Sequence, residues 1–185
     1  MSIIIEGADL VGKTTLAKHL AKKLGLLYQH MDRPPTKEGI WGVKEYSSLL
    51  SPYTIRDRFH TSELVYSSVL KRSSKMSRRT YMDIDKAIYR SGSILVLVTA
   101  DQSLIKERYS QEGDNLYNLT TILHASSVYL DFFDEGLILA DMHVHFTDSN
   151  LVATVFDHAV NYIEALYHAK IVHLSGKTNN NTESQ

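Results

Sequence analysis

The sequence predicts an α/β chain, a three-layer sandwich with helices on both faces of a mostly parallel sheet of about five strands. Three observations carry this. Ile3-Ile4-Ile5 and the run from Ile94 to Val98 are unbroken apolar stretches, the habit of strands covered on both faces. Segments of helical periodicity alternate with such strands along the chain. The 185 residues are 43% hydrophobic and 22% charged, an ordinary globular balance and a length that suits one domain, expected over 1–170.

Each element has its own signal. After the first strand comes a Gly-containing loop and a helix over 13–24, where Leu16, Ala17, Leu20, Ala21 and Leu24 recur at helical spacing and Gly25 supplies the stop. Residues 26–30 read as a second strand. Pro34-Pro35, Gly39 and Gly42 make 32–52 irregular, with a short helix near 44–50. A third strand over 53–56 leads into Asp57-Arg58. Residues 62–72 are helical, with Leu64, Val65 and Val69 as the buried stripe. A polar, basic loop over 73–77 precedes a helix over 79–90. Residues 93–99 are the clearest strand. Helices over 102–111 and 120–133 follow, split by Glu112-Gly113-Asp114-Asn115. The last strand is 143–147, and the last helix, 151–167, has Val155, Ala159, Ile163 and Leu166 in register. The Asn/Thr-rich end lacks an apolar anchor, so 171–185 is expected to be a disordered tail.

Composition narrows the function. Lys and Arg number 20 against 21 Asp and Glu, a net charge of -1, which argues against stable nucleic-acid binding. The absence of cysteine removes disulfides, thiolate zinc sites and cysteine nucleophiles. No apolar run has membrane-spanning length, and the N-terminus lacks a basic-then-apolar signal pattern. A cytoplasmic enzyme without membrane attachment is the expectation.

The chemistry starts at Gly7-Ala8-Asp9-Leu10-Val11-Gly12-Lys13-Thr14, a complete G-x-x-x-x-G-K-[ST] between a β-branched strand and an Ala/Leu/Lys helix. Glycines let the backbone curl until successive N–H groups, Val11 and Gly12 among them, face phosphate oxygens, and the helix N-terminus adds its positive end. Lys13 is placed to reach the β- and γ-phosphates of ATP, Thr14 to sit on Mg²⁺, and Thr15 to extend the cradle. Water-activating ATPases carry an acidic residue at a strand end. Here Asp101 reads instead as an N-cap of the helix from Gln102, which favours a kinase with a second bound substrate.

That second substrate has a candidate site. Asp57 falls at the C-terminal end of a strand, where open α/β sheets place ligands, and can hold a metal's water shell or orient an acceptor. Arg58 can fork onto a phosphate. Phe59, Glu63, Tyr66 and Leu70 share a helix face distinct from the core stripe, placing an acid and a tyrosine to read a base edge and a sugar.

Glu6-Gly7-Ala8-Asp9 with Gly12-Lys13-Thr14-Thr15 resembles the phosphate loop of thymidylate kinases. Asp57-Arg58-Phe59 through Ser62 and Tyr66 resembles their Asp-Arg-aromatic motif, and 96–114, with Glu107-Arg108 and Gly113-Asp114, is similar to their lid approach. Tyr129 matches a tyrosine after the lid. The resemblance covers most of 1–168 and looks most like the compact, in part virus-encoded, members. It implies a five-stranded parallel sheet of the P-loop nucleoside monophosphate kinase type, a lid around 108–118, and ATP- and Mg²⁺-dependent phosphorylation of a (deoxy)pyrimidine nucleoside monophosphate such as dTMP. It further implies that Lys13, Asp57 and Arg58 take part in transfer, Thr14 and Asp57 serve the metal, and Asp9 meets the acceptor's 3′-hydroxyl or the metal shell. Arg58 then holds the acceptor phosphate, Tyr66 packs on the deoxyribose, Glu63 contacts the base, and the enzyme is a homodimer.

The sequence departs from that family at its transition-state arginine. The loop positions are Leu10 and Val11, and 110–118 contains neither Arg nor Lys, so Arg108 is the candidate donor, with Arg72, Arg78 and Arg79 in reserve. The base-stacking aromatic and its arginine are assigned to Trp41 and Arg33, although a core role fits Trp41 equally. His143-x-His145 lacks an evident third metal ligand. The basic cluster Lys71, Arg72, Lys75, Arg78 and Arg79 is either solvated surface or a closure over phosphates. Two rivals stay open: a kinase of another acceptor (a deoxynucleoside or a modified base in DNA), and a non-enzymatic nucleotide-binding switch.

Overall fold

The structure, a computed structural model, describes residues 1–31, 42–74, 76–112 and 116–180, with side chains described to Leu174. Arg33, Trp41, Lys75 and Gly113-Asp114 therefore lie outside the described residues. The elements run β1 (Ile3–Glu6), α1 (Lys13–Leu24), β2 (Leu27–His30), α2 (Val43–Leu49), β3 (Thr54–Asp57), α3 (His60–Val69), α4 (Arg78–Arg90), β4 (Ile94–Ala100), α5 (Gln102–Glu112), α6 (Leu119–Asp134), β5 (Met142–Phe146) and α7 (Val152–Asn180).

The strands form one five-stranded sheet in the order β2-β3-β1-β4-β5, with every neighbouring pair parallel. The position of each strand explains its sequence. β1, β3 and β4 are inner strands buried along their whole length, and β1 and β4 read as continuous apolar runs. β2 and β5 are edges, and they carry Tyr28, Gln29 and His30 or His143 and His145, which tolerate partial exposure. Helices α1 and α7 pack together over β3 and β5, while α3, α4 and α6 are grouped with β4 on the other side. Leu16, Ala17 and Leu20 of α1 and Ile84 and Ile88 of α4 supply the buried faces, as their spacing predicts.

Three local features differ from the sequence pattern. Helix α3 starts at His60, with Phe59 as its N-cap, and is buried almost all round: Glu63, Tyr66 and Ser67 are as covered as Val65 and Val69, whereas Leu64 is only half-buried. Packed against α6 and α4, with its first turn held by Glu6 of β1, this helix has no broad solvent face, so the single-stripe expectation fails there. Helix α7 continues past 167 to Asn180 where a tail is expected from 171. Ile171 packs on the core, Lys170 pairs with Asp141 at 2.7 Å, and the Leu174 side chain lies over Gly92. Finally, the Asp101 carbonyl opens α5 by accepting from Ile105 N–H at 3.1 Å, but its carboxylate turns to His145 Nε2, also at 3.1 Å.

Candidate active site

The C-terminal ends of β1 and β3 lie side by side, with Ile5 opposite Asp57, so the loop after β1 and the Asp57-Arg58 corner after β3 face each other. The loop is sterically tied to glycine at its start. Gly7 has φ +149°, and a Cβ there would stand 2.2 Å from the Val98 carbonyl oxygen of β4. Gly12, at φ +99°, is the N-cap of α1 and carries no side chain to obstruct that helix's free N–H groups.

Inside the loop, Lys13 is buried and donates from Nζ to the Ala8 carbonyl at 2.9 Å, with Asp9 Oδ1 3.6 Å away. Burial and the Arg58 charge lower its pKa, and Asp9, Asp57 and Glu6 oppose that. Thr14 Oγ1 donates to Asp57 Oδ2 at 2.6 Å, and the same oxygen accepts from Tyr28 at 3.0 Å and lies 3.0 Å from His30 Nδ1. The other oxygen, Oδ1, is buried with no hydrogen-bond partner among the described residues. A hydroxyl beside a carboxylate with an unused buried oxygen is a hard-oxygen donor set, and it fits Mg²⁺.

A second cluster is centred on Asp9. Its carboxylate accepts from Arg58 Nη2 and from the Tyr66 hydroxyl, and the Arg58 guanidinium lies 5.3 Å from the Tyr66 ring centroid. Burial alone would raise the Asp9 pKa, but Lys13, Arg58 and the two hydrogen bonds outweigh it and hold the carboxyl below its ordinary value. For Arg58, burial works hardest against the charge, but Asp9, through its charge and its hydrogen bond, together with Tyr66 and Tyr129, outweighs it and raises the pKa. The Tyr66 hydroxyl is pushed up by burial and by the Asp9 charge. Tyr117 stacks on Tyr66 at 5.1 Å between centroids. One turn before Tyr66 on α3, Glu63 is bound bidentately by Arg72, at 2.8 and 2.6 Å, and the bonds to Glu63 raise the Arg72 pKa.

On the other side of the loop a cavity of about 260 Å³ is walled by Gly12, Lys13, Thr15, Arg108, Phe146 and Phe156. Arg108 donates from Nη1 to the Leu10 carbonyl at 2.7 Å and lies 5.8 Å from the Phe146 centroid, so α5 is tied to the phosphate loop through this side chain. Of the residues singled out in the sequence, the structure brings Asp9, Lys13, Thr14, Asp57, Arg58, Tyr66 and Arg108 around one loop and joins Glu63 to Arg72; the exposed Thr15 lies at the cavity rim. Sequence reasoning missed Tyr28 and His30. The signal was there: both lie on the face of β2 that alternation shares with Ile55 and Asp57 of β3. His143 and His145 instead share Thr99 Oγ1, at 2.7 Å each. Among the described residues no group of three metal-ligating side chains is present, and no helix is long and apolar enough to cross a membrane.

Sheet order, phosphate loop and the helix that follows it define the P-loop nucleotide kinase fold. Solved structures agree. The chain is similar to the YorR protein of Bacillus subtilis, crystallised in complex with phosphorylated GDP, with a TM-score of 0.68 and 24% identity over 91% of this chain and 98% of that one. It is also similar to deoxyadenosine kinase from M. mycoides (TM-score 0.54, 16% identity, 89% and 100% coverage) and to thymidylate kinase from Candida albicans (TM-score 0.53, 15% identity, 89% and 92% coverage). No family model and no curated protein sequence matches the chain.

Proposed function

We propose that this protein is a nucleoside monophosphate kinase that transfers the γ-phosphoryl group of ATP to a deoxypyrimidine nucleoside monophosphate such as dTMP. The observation that carries the reading is the Asp9–Arg58–Tyr66 cluster, a second polar site built onto the phosphate loop itself. A hydrolytic switch has no use for an arginine and a tyrosine converging on a loop carboxylate. A phosphoacceptor does: Arg58 forks onto its phosphate, Asp9 orients the sugar hydroxyl, and Tyr66 packs against the sugar. Glu63 of α3, with Arg72 bound to it, meets the base edge, and Trp41 with Arg33 stacks on the base.

In the transfer, an acceptor phosphate oxygen forms the new bond to Pγ while the bond from Pγ to the β,γ-bridging oxygen breaks and ADP leaves with that electron pair. The acceptor monoester is largely a dianion at neutral pH, so no proton has to be removed. Lys13 leaves the Ala8 carbonyl for the donor phosphates, and Arg108 adds positive charge beside the loop. Thr14 and Asp57 would hold Mg²⁺, which supplies charge neutralisation at the phosphates. The reading carries with it a single kinase domain, which takes in Ile171 and Leu174 of α7 beyond the expected bound at 170, a cytoplasmic location and a homodimer.

Substrate comparison tests it. Arg58→Ala is expected to raise the acceptor KM for a monophosphate by about a hundredfold while leaving donor KM within a few-fold, since a bidentate charged contact is lost. A variant in which acceptor KM is unchanged, or in which an unphosphorylated nucleoside is the better acceptor, overturns the monophosphate assignment.

A further inference from the structure

Glu6 closes β1 and directly precedes Gly7, yet no part of the transfer uses it. Its side chain has no solvent exposure. Oε1 accepts from the backbone N–H groups of Phe59 at 2.9 Å, Thr61 at 3.0 Å and Ser62 at 3.3 Å. Oε2 accepts from Ser62 Oγ at 2.7 Å and from the Tyr129 hydroxyl at 3.3 Å. The backbone donors are the free N–H groups at the start of α3, whose N-cap, Phe59, has no side chain able to satisfy them. A carboxylate more than fifty positions earlier does the capping instead.

A Ser or Asp at position 59 would cap α3 locally, without burying a long-range charge. The difference lies in what else Glu6 fixes. Arg58, just before the cap, has φ +73°, a left-handed conformation that a non-glycine residue adopts only when its surroundings hold it there. Two hydrogen bonds into β1 bracket it: Arg58 N–H to the Ile5 carbonyl at 2.9 Å, and Phe59 N–H to Glu6. That bend aims the guanidinium at Asp9. We infer that Glu6 is a positioning residue that locks the Arg58 corner to the root of the phosphate loop, setting the span between donor and acceptor phosphates. The inference rests on the kinase reading, in which Arg58 holds the acceptor phosphate.

The test compares Glu6→Ala, Glu6→Gln, Glu6→Asp, Arg58→Ala and the Glu6→Ala/Arg58→Ala double variant in acceptor kcat/KM, donor KM and thermal midpoint. Glutamine keeps an oxygen for the three N–H donors, and the hydroxyls of Ser62 and Tyr129 can reverse, so Glu6→Gln is expected within about tenfold of wild type. Glu6→Ala loses about a hundredfold in acceptor kcat/KM, the scale of a misplacement near 1 Å, with donor KM unchanged. The double variant is no worse than Arg58→Ala, because Glu6 acts through that side chain. If Glu6→Ala does not fold, Glu6→Asp, which withdraws the carboxylate by one methylene, is expected to show the same selective acceptor loss. Losses that multiply in the double variant, equal losses at donor and acceptor, or a Glu6→Asp enzyme with wild-type kinetics overturn the inference while leaving the kinase reading intact. A wild type without product defeats the kinase reading itself, and an Arg58→Ala variant without effect overturns the monophosphate assignment; either takes this inference with it.

Discussion

Replacing Tyr66 by Phe removes one oxygen from the Asp9 cluster and nothing else. The ring is buried, stacked on Tyr117 and beside the Arg58 guanidinium, and the aromatic packing survives. What is lost is a hydrogen bond to an ionised acceptor, on the order of 1.5–3 kcal/mol. Asp9 is 13% exposed and keeps Arg58, so the lower end applies, about 1.5 kcal/mol. In a chain of this length that lowers Tm by about 3–6 °C. The pH dependence is more diagnostic. The folded pKa of Asp9 lies below its ordinary value of 3.8, and the Tyr66 bond is one of the causes, after the Lys13 and Arg58 charges that offset burial. A carboxylate with a depressed folded pKa contributes stability that is complete above the unfolded value and fades as pH falls through the folded one. The gap between wild type and Tyr66→Phe in urea unfolding is therefore full at pH 7 and narrows only below about pH 4. A gap that is absent at pH 7, or that persists unchanged down to the acid limit of folding, refutes the assignment of this bond to the charged carboxylate.

Other perturbations separate the parts of the site. Gly7→Ala forces a Cβ against the Val98 carbonyl at a glycine-only φ, so donor binding is expected to vanish and stability to fall by at least about 2 kcal/mol in chemical denaturation. Arg108→Ala cuts the tie between α5 and the Leu10 carbonyl beside the donor cavity, and is expected to raise donor KM about tenfold with acceptor KM unchanged. Arg72→Ala takes the bidentate cation from Glu63, and acceptor assays are expected to show about a tenfold rise in KM and a flattened preference among bases, with donor KM constant.

The sheet and the phosphate loop were legible because their signals are local and redundant. An inner parallel strand has to be apolar on both faces, as Ile3–Ile5 and Ile94–Val98 are, and a loop that curls around phosphate needs glycines at fixed spacing. Asp57 and Arg58 were legible as a motif, but the left-handed backbone at Arg58 was not, since nothing in one residue's type announces a conformation imposed by Ile5 and Glu6 across the sheet. The same holds for Glu6, whose partners lie on α3 and α6. The far end of α7 escaped because its apolar contacts thin out there: Ile171 on the core and Leu174 over Gly92 continue the face of Ile163 and Tyr167, but they stand among polar residues that read as a tail. Arg108 is legible as the basic residue just before a lid that has none; its attachment to the Leu10 carbonyl depends on how α5 lies over the loop, which periodicity does not encode.

The central claim is phosphoryl transfer to a nucleoside monophosphate, and the most direct measurement is a product panel. Mg·ATP is incubated with each common deoxynucleoside monophosphate, each nucleoside and a blank without acceptor, for wild type, Lys13→Ala and Arg58→Ala. The account predicts a diphosphate product from a pyrimidine monophosphate, lost in both variants, and no ATP turnover in the blank. Tight ATP binding with no product from any acceptor, or hydrolysis that proceeds equally without one, contradicts it.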